Sequence, residues 1–137
     1  MALFINWYIT HLHDHKSEKP FIIGVTAFTR HAIINLLKRI ALVRARHERS
    51  NTTTEKSDLS FDIVAMESSS TTNAVEGLKD AVRCKADQIG KHLPKKGAVV
   101  VGGTVWDWHK VQKKPKFKLA CDIMIIDESS QVKKRNR

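Results

Sequence analysis

The sequence predicts an α/β fold, a parallel sheet flanked by helices. Three observations carry this. Four short stretches are largely continuous in apolar residues, amphipathic segments alternate with them, and Pro20, Pro94 and Gly97 punctuate the junctions. Strands apolar on both faces belong to sheets covered on both sides, which is the parallel arrangement.

Taken in order, Leu3, Phe4, Trp7, Tyr8 and Leu12 recur at helical spacing and predict a helix from residue 2 to about 15. Pro20 closes that region, and Phe21 to Thr26 reads as a short buried strand. A second helix is predicted from Thr29, a candidate N-cap, to about Arg46. Its apolar stripe is Ile33, Ile34, Leu37, Ile40 and Ala41, with Arg30, Lys38, Arg39 and Arg44 mostly off that stripe. Residues 50–60 are polar and read as a surface loop. Phe61 to Met66 is the next strand, and 67–73 a second loop. Asn73 and Glu76 have capping-box spacing before a third predicted helix, which buries Val75, Leu78, Val82, Ile89 and Leu93. Ala98 to Val101 is the third strand, ending at Gly102-Gly103-Thr104. After a short basic segment, Cys121 to Ile126 is the fourth, ending in Asp127-Glu128.

The 137 residues fit one domain, long enough to bury a core. Twenty-four Lys and Arg against 14 Asp and Glu give a formal charge of +10. That excess favours polyanionic partners, nucleic acid first among them, or is offset by acidic segments of a longer parent chain. Cys84 and Cys121 lie far apart without metal-ligand spacing, so a reduced, intracellular setting is expected, with nucleus and cytoplasm both open. The sequon Asn51-Thr52-Thr53 stands without any other sign of secretion. The apolar run Ala2 to Ile9 lacks a basic flank and a cleavage site, and is far shorter than the ~20 residues that span a bilayer, so no membrane partner is expected. His11, His13, Asp14 and His15 do not share one helix face and read as a solvated helix end, not a metal site.

The chemically loaded residues fall at strand ends: Thr26 to Thr29, Gly102 to Thr104, and Asp127 to Gln131. In parallel α/β sheets, ligands bind beyond the carboxyl ends of strands. An apolar strand delivering Asp127 and Glu128 into that crevice has the Walker B arrangement. There the first carboxylate holds hydrated Mg²⁺ and the second activates the attacking water. An acidic turn closing an ordinary strand is the plain alternative. At Thr26, Thr29 and the following helix start, hydroxyls and free amides make a donor cluster suited to phosphate, although Thr29 serves equally as a cap. Gly102 and Gly103 permit close backbone approach to a ligand, and Trp106 and Trp108 either stack on a base or pack internally.

Asp127-Glu128-Ser129-Ser130-Gln131 resembles the Asp-Glu-Ala-Ser-Gln motif II of superfamily 1 helicases, with Ser129 in place of the usual Ala. Gly24 to Ile33 is similar to motif Ia of that family, and Val100 to Trp106 to motif Ic. The order of motifs matches, although the segments between them match in position only. The resemblance implies a partial RecA-like lobe, a P-loop NTPase fold without its Walker A strand and loop. Residues 1–15 would be the remnant of the phosphate-loop helix and 132–137 a basic tail, either an extension or the edge of a gene fragment. It implies ATP and Mg²⁺ as cofactors of the parent enzyme, Glu128 as the catalytic base, Asp127 on the metal and Gln131 on the nucleotide. Single-stranded DNA or RNA would meet Thr26, Phe28, Thr29, Arg30, Gly103 and Thr104. No Gly-x-x-x-x-Gly-Lys occurs in the 137 residues, so ATP turnover by them alone is not expected. The family's neighbours of the Walker B strand are missing, which predicts an exposed apolar sheet edge at Cys121 to Ile126 and a tendency to self-associate. Two other functions remain open: a non-catalytic basic nucleic-acid-binding module, and a degenerate truncated product without activity.

Overall fold

Five parallel strands lie side by side in the order β3-β2-β4-β1-β5. They come from a computed structural model that describes residues 2–11, 20–50, 61–67, 81–94, 97–113 and 121–127. The strands are β1 (Phe21–Ala27), β2 (Asp62–Glu67), β3 (Val82–Lys85), β4 (Ala98–Thr104) and β5 (Ile123–Asp127). The helices are α1 (Ala2–His11), α2 (Arg30–Ser50) and α3 (Val105–Gln112), with a 3₁₀ helix over Ala86–Lys91. No helix among the described residues is long and apolar enough to cross a membrane.

Strand alternation divides the core into two layers. Ile23, Val25 and Ala27 of β1, Ile63 and Ala65 of β2, and Ala98 and Val100 of β4 face one side. There they meet Ile5 and Ile9 of α1 and Ile33, Leu37 and Ile40 of α2. Ile22, Val64, Met66, Val99 and Val101 face the other side, against Ile89, Trp108 and Val111. Side chains two apart along a strand share a face, so a strand buried on both sides must be apolar throughout. Val99, Val100 and Val101 are fully enclosed, as the continuous run predicted. Asn6 joins α1 to α2: its buried amide donates to Ala2 O at 2.8 Å and to Ile40 O at 3.4 Å.

The second predicted helix is present, and Thr29 caps it. Its hydroxyl accepts from the Ala32 amide at 3.1 Å, and its carbonyl accepts from the Ile33 amide at 3.2 Å. The helix runs on through Ser50, so the loop drawn from residue 50 starts no earlier than 51. Likewise Glu67, drawn into the 67–73 loop, is the last residue of β2.

The helix predicted over Asn73 to Leu93 is corrected. Within it, Val82–Lys85 is a strand and Ala86–Lys91 is 3₁₀, while 73–80, with the expected capping pair Asn73 and Glu76, lie outside the described residues. Val82, expected to be buried, is 37% exposed, and Cys84 and Ala86 are buried in its stead, while Ile89 is buried as expected. The local periodicity is ambiguous over so few residues. Pairing decides it, because Val82 to Lys85 hydrogen-bond alongside Val64 to Glu67 and cover what is otherwise a bare edge of β2. A salt bridge between Arg83 and Glu67 fastens that pair. The third strand runs beyond Val101, with Gly102-Gly103-Thr104 part of β4 itself, and the segment after it, expected as a short basic stretch, opens with α3.

β5 pairs with β1 alone and forms the sheet's edge. Asp122 fixes its entry, accepting from the Ile22 amide at 2.8 Å through its carboxylate while its own amide donates to Ile22 O at 2.8 Å. Ile123 and Ile125 pack on the α1–α2 side, whereas Met124 and Ile126 are 42% and 58% exposed. The edge expected at Cys121 to Ile126 is thus present, apolar and half covered.

Candidate nucleic-acid interface

The carboxyl ends of three strands meet at one level. Ala27 is in register with Thr104 of β4 on one side and with Asp127 of β5 on the other. The three strand ends bearing the motifs are therefore adjacent, β1 between β4 and β5. Glu128 and Gln131 lie outside the described residues. Asp127, the last residue of β5, is partly buried.

Thr26 and Gly103 are register partners one step below that crest, with Ile126 on the far side of Thr26. Thr26 Oγ1 is, among the described residues, a buried hydroxyl without a hydrogen-bond partner. Such a group ordinarily finds one, and this hydroxyl is enclosed beneath the crest, not presented on it. Phe28, just past β1, is half exposed, and Thr29 next to it is exposed with its hydroxyl on the Ala32 amide.

Arg30 and Thr104 are turned inward by Asp107, a residue that motif reading passed over. Asp107 is 2% exposed. It accepts from the Arg30 guanidinium at 3.0 and 3.2 Å and from the Thr104 amide at 2.9 Å and hydroxyl at 3.0 Å. The Asp107 amide in turn donates to Thr104 Oγ1 at 3.3 Å, which completes a capping box at the start of α3. Arg30 also donates to Met66 O. The sequence signal for this was the Thr-x-x-Asp spacing of 104 and 107, a capping pattern directly after an apolar strand. One carboxylate thus ties the β1–α2 junction to the β4–α3 junction.

The glycines have a packing reason. A Cβ on Gly102 would meet Leu37 Cδ1 at 2.8 Å and Ile33 Cγ2 at 3.1 Å, and one on Gly103 would meet Met66 and, at 3.1 Å, Asp107 Cβ. They let helices close onto both sheet faces. The two tryptophans separate. Trp108 is buried and donates from Nε1 to Val25 O at 3.2 Å, so it is a core residue. Trp106 is 74% exposed.

Among the described residues no cluster of His, Cys, Asp and Glu is arranged to hold a metal ion. The thiols are chemically quiet. Burial, then the Glu67 and Asp87 charges, raise Cys84 from 9.0 to about 11. Burial, then Asp122, raise Cys121 from 9.0 to about 11. The folded chain holds these protons more tightly than the unfolded chain. The resulting stability is whole below pH 9 and is lost as pH rises through 11. Both cysteines are therefore expected to alkylate slowly at neutral pH until denaturant is added; fast labelling of the native chain at pH 7 would contradict this burial. Compared with protein-family models, curated proteins and solved structures, the chain matches none of them, and its site is read from its own residues.

Proposed function

We propose that these residues are part of the first motor lobe of a superfamily 1 helicase and that, on their own, they bind single-stranded nucleic acid without turning over ATP. The observation that supports this is the alignment of three motif-bearing strand ends at one edge of a parallel sheet, Thr104 and Asp127 flanking Ala27. In that reading Asp127 would hold Mg²⁺ through water, Glu128 would serve as the base and Gln131 would meet the nucleotide. The fit to Mg-ATP is poor within this chain. Of the carboxylates described at the crest, Asp107 is taken up by Arg30 and Thr104, which leaves Asp127, and the sequence holds no Gly-x-x-x-x-Gly-Lys to supply amides to the β- and γ-phosphates. Hydrolysis is therefore not assigned to this chain.

Strand binding has better support. The +10 charge favours a polyanion, Phe28 offers an exposed ring, and Thr29 brings an exposed hydroxyl to the start of α2, whereas the Thr26 hydroxyl is buried below them on the opposite face of β1. Arg30 and Thr104 act in this reading mainly as positioning residues, because their donors are engaged by Asp107. Gly103 contributes by letting α3 approach.

Fluorescence anisotropy with a labelled oligothymidylate tests the proposal. Binding is expected to weaken steeply between about 50 and about 200 mM salt. The Phe28→Ala/Thr29→Ala variant should bind about tenfold more weakly, through one lost stacking contact. Mg-ATP should change neither curve. Absence of binding at about 50 mM salt would sink the nucleic-acid reading. For the motor ancestry, the coding sequence upstream of Met1 is decisive: an in-frame Gly-x-x-x-x-Gly-Lys-Thr supports it, and in-frame coding sequence without one counts against it.

A further inference from the structure

The carboxyl edge of the sheet does not end at β4. Glu67 and Lys85 close β2 and β3 in register with each other, on the far side of β4 from Asp127. With Ala86, Asp87 and Lys110 of α3 they line an open cleft of about 310 Å³. The charge of Glu67 is offset by its salt bridge to Arg83. The lining itself is balanced, Lys85 and Lys110 against Glu67 and Asp87, and Arg83 beside it brings the group to three cations and two carboxylates, with both lysines exposed. Trp106 stands four residues before Lys110, so the two share one face of α3 about 6 Å apart along its axis. The opposite face carries the buried Trp108 and Val111. An exposed indole beside a lysine-lined cleft is the pairing of stacking platform and charged groove that tracks single strands.

We propose that Lys85, Lys110 and Trp106 extend the strand-binding surface to the β3 end of the sheet, each lysine meeting one phosphodiester and Trp106 stacking on the base between them. β1 and β3 are three strand spacings apart, about 14 Å, so a strand lying on Phe28 reaches this cleft within a few nucleotides. The inference rests on the nucleic-acid half of the proposed function and not on the motor ancestry.

The test uses the full chain and labelled oligothymidylate, titrated across salt. For Lys85→Gln/Lys110→Gln, the slope of log affinity against log salt should become shallower by about 1.4, two contacts at about 0.7 each. Arg39→Gln/Arg46→Gln removes the same charge from exposed positions of α2, whose packing face lies on the other side of the sheet, and should leave the slope unchanged. Trp106→Ala should lower affinity about tenfold with the slope intact. Matching melting curves for all variants would show that each still folds. If the lysine pair keeps the wild-type slope while Phe28→Ala/Thr29→Ala still weakens binding, the cleft proposal alone falls. If the wild-type chain binds no oligonucleotide, both fall. Competition by polyglutamate as effective as by unlabelled oligonucleotide would overturn the stacking role of Trp106.

Discussion

Replacing Asp107 by alanine is expected to lower the thermal midpoint by about 10 °C, corresponding to about 3 kcal/mol for a chain of this length. The carboxylate is 2% exposed and accepts from both Arg30 and Thr104. Its loss leaves the Arg30 guanidinium with Met66 O but no counter-charge, and the Thr104 amide without its acceptor. Breaking one side of a buried pair costs about 3–5 kcal/mol, and the 30% exposure of Arg30 places this case at the low end. Asp107→Asn keeps an acceptor for the cap and should lose about half as much. Arg30→Ala is destabilising for the converse reason, a buried carboxylate without its cation. The double variant should therefore lose less than the sum of the two, by about 1 kcal/mol or more on the scale of contacting pairs, as read by denaturant titration. Simple additivity would show that the two residues do not act as a unit.

Gly102→Val should cost about 3 kcal/mol, at the upper end for forcing methyl groups into a packed core. Leu37, the nearest obstacle, is fully buried between α2 and the sheet and has no open direction in which to move. Trimming it reverses the problem. Leu37→Ala alone leaves a cavity worth about 3 kcal/mol, yet Gly102→Val/Leu37→Ala should lose clearly less than the two single losses added together. Were the glycine present to bring backbone close to a ligand, the outcome would differ: the valine variant would keep its midpoint and lose oligonucleotide affinity. That result would overturn the packing account.

The parts of the fold that were legible share a strong local signature. β1, β4 and the run into β5 are apolar without alternation, and α2 combines a clean stripe with a threonine cap. β3 was not legible, because four residues carry too little periodicity and their state is set by β2 next to them. α3 was missed in a segment read as basic linker, although Thr104 and Asp107 marked its start. The three strand ends that the sequence singled out are adjacent in the sheet, β1 between β4 and β5. Sequence order did not foresee that Arg30 and Thr104 would turn toward one buried carboxylate, since Asp107 lies far from Arg30 along the chain and only the β1–β4 pairing brings them close. Gly102 and Gly103 were noticed for the right property, absence of a side chain, whereas the neighbours that require it belong to α2, β2 and α3.

The strand order also dictates a timetable for folding. β1 precedes both of its neighbours, β4 and β5, which come from residues 98–104 and 123–127. Until residues 98–104 are made, Phe21–Ala27 lacks the strands that flank it in this sheet, and α1 and α2 shield only one of its faces. Loops this long must close before any of that pairing is gained, so assembly waits for the last strands and proceeds slowly. A nascent chain held at this stage would display an apolar, unpaired segment to whatever holdase stands nearest the ribosome exit.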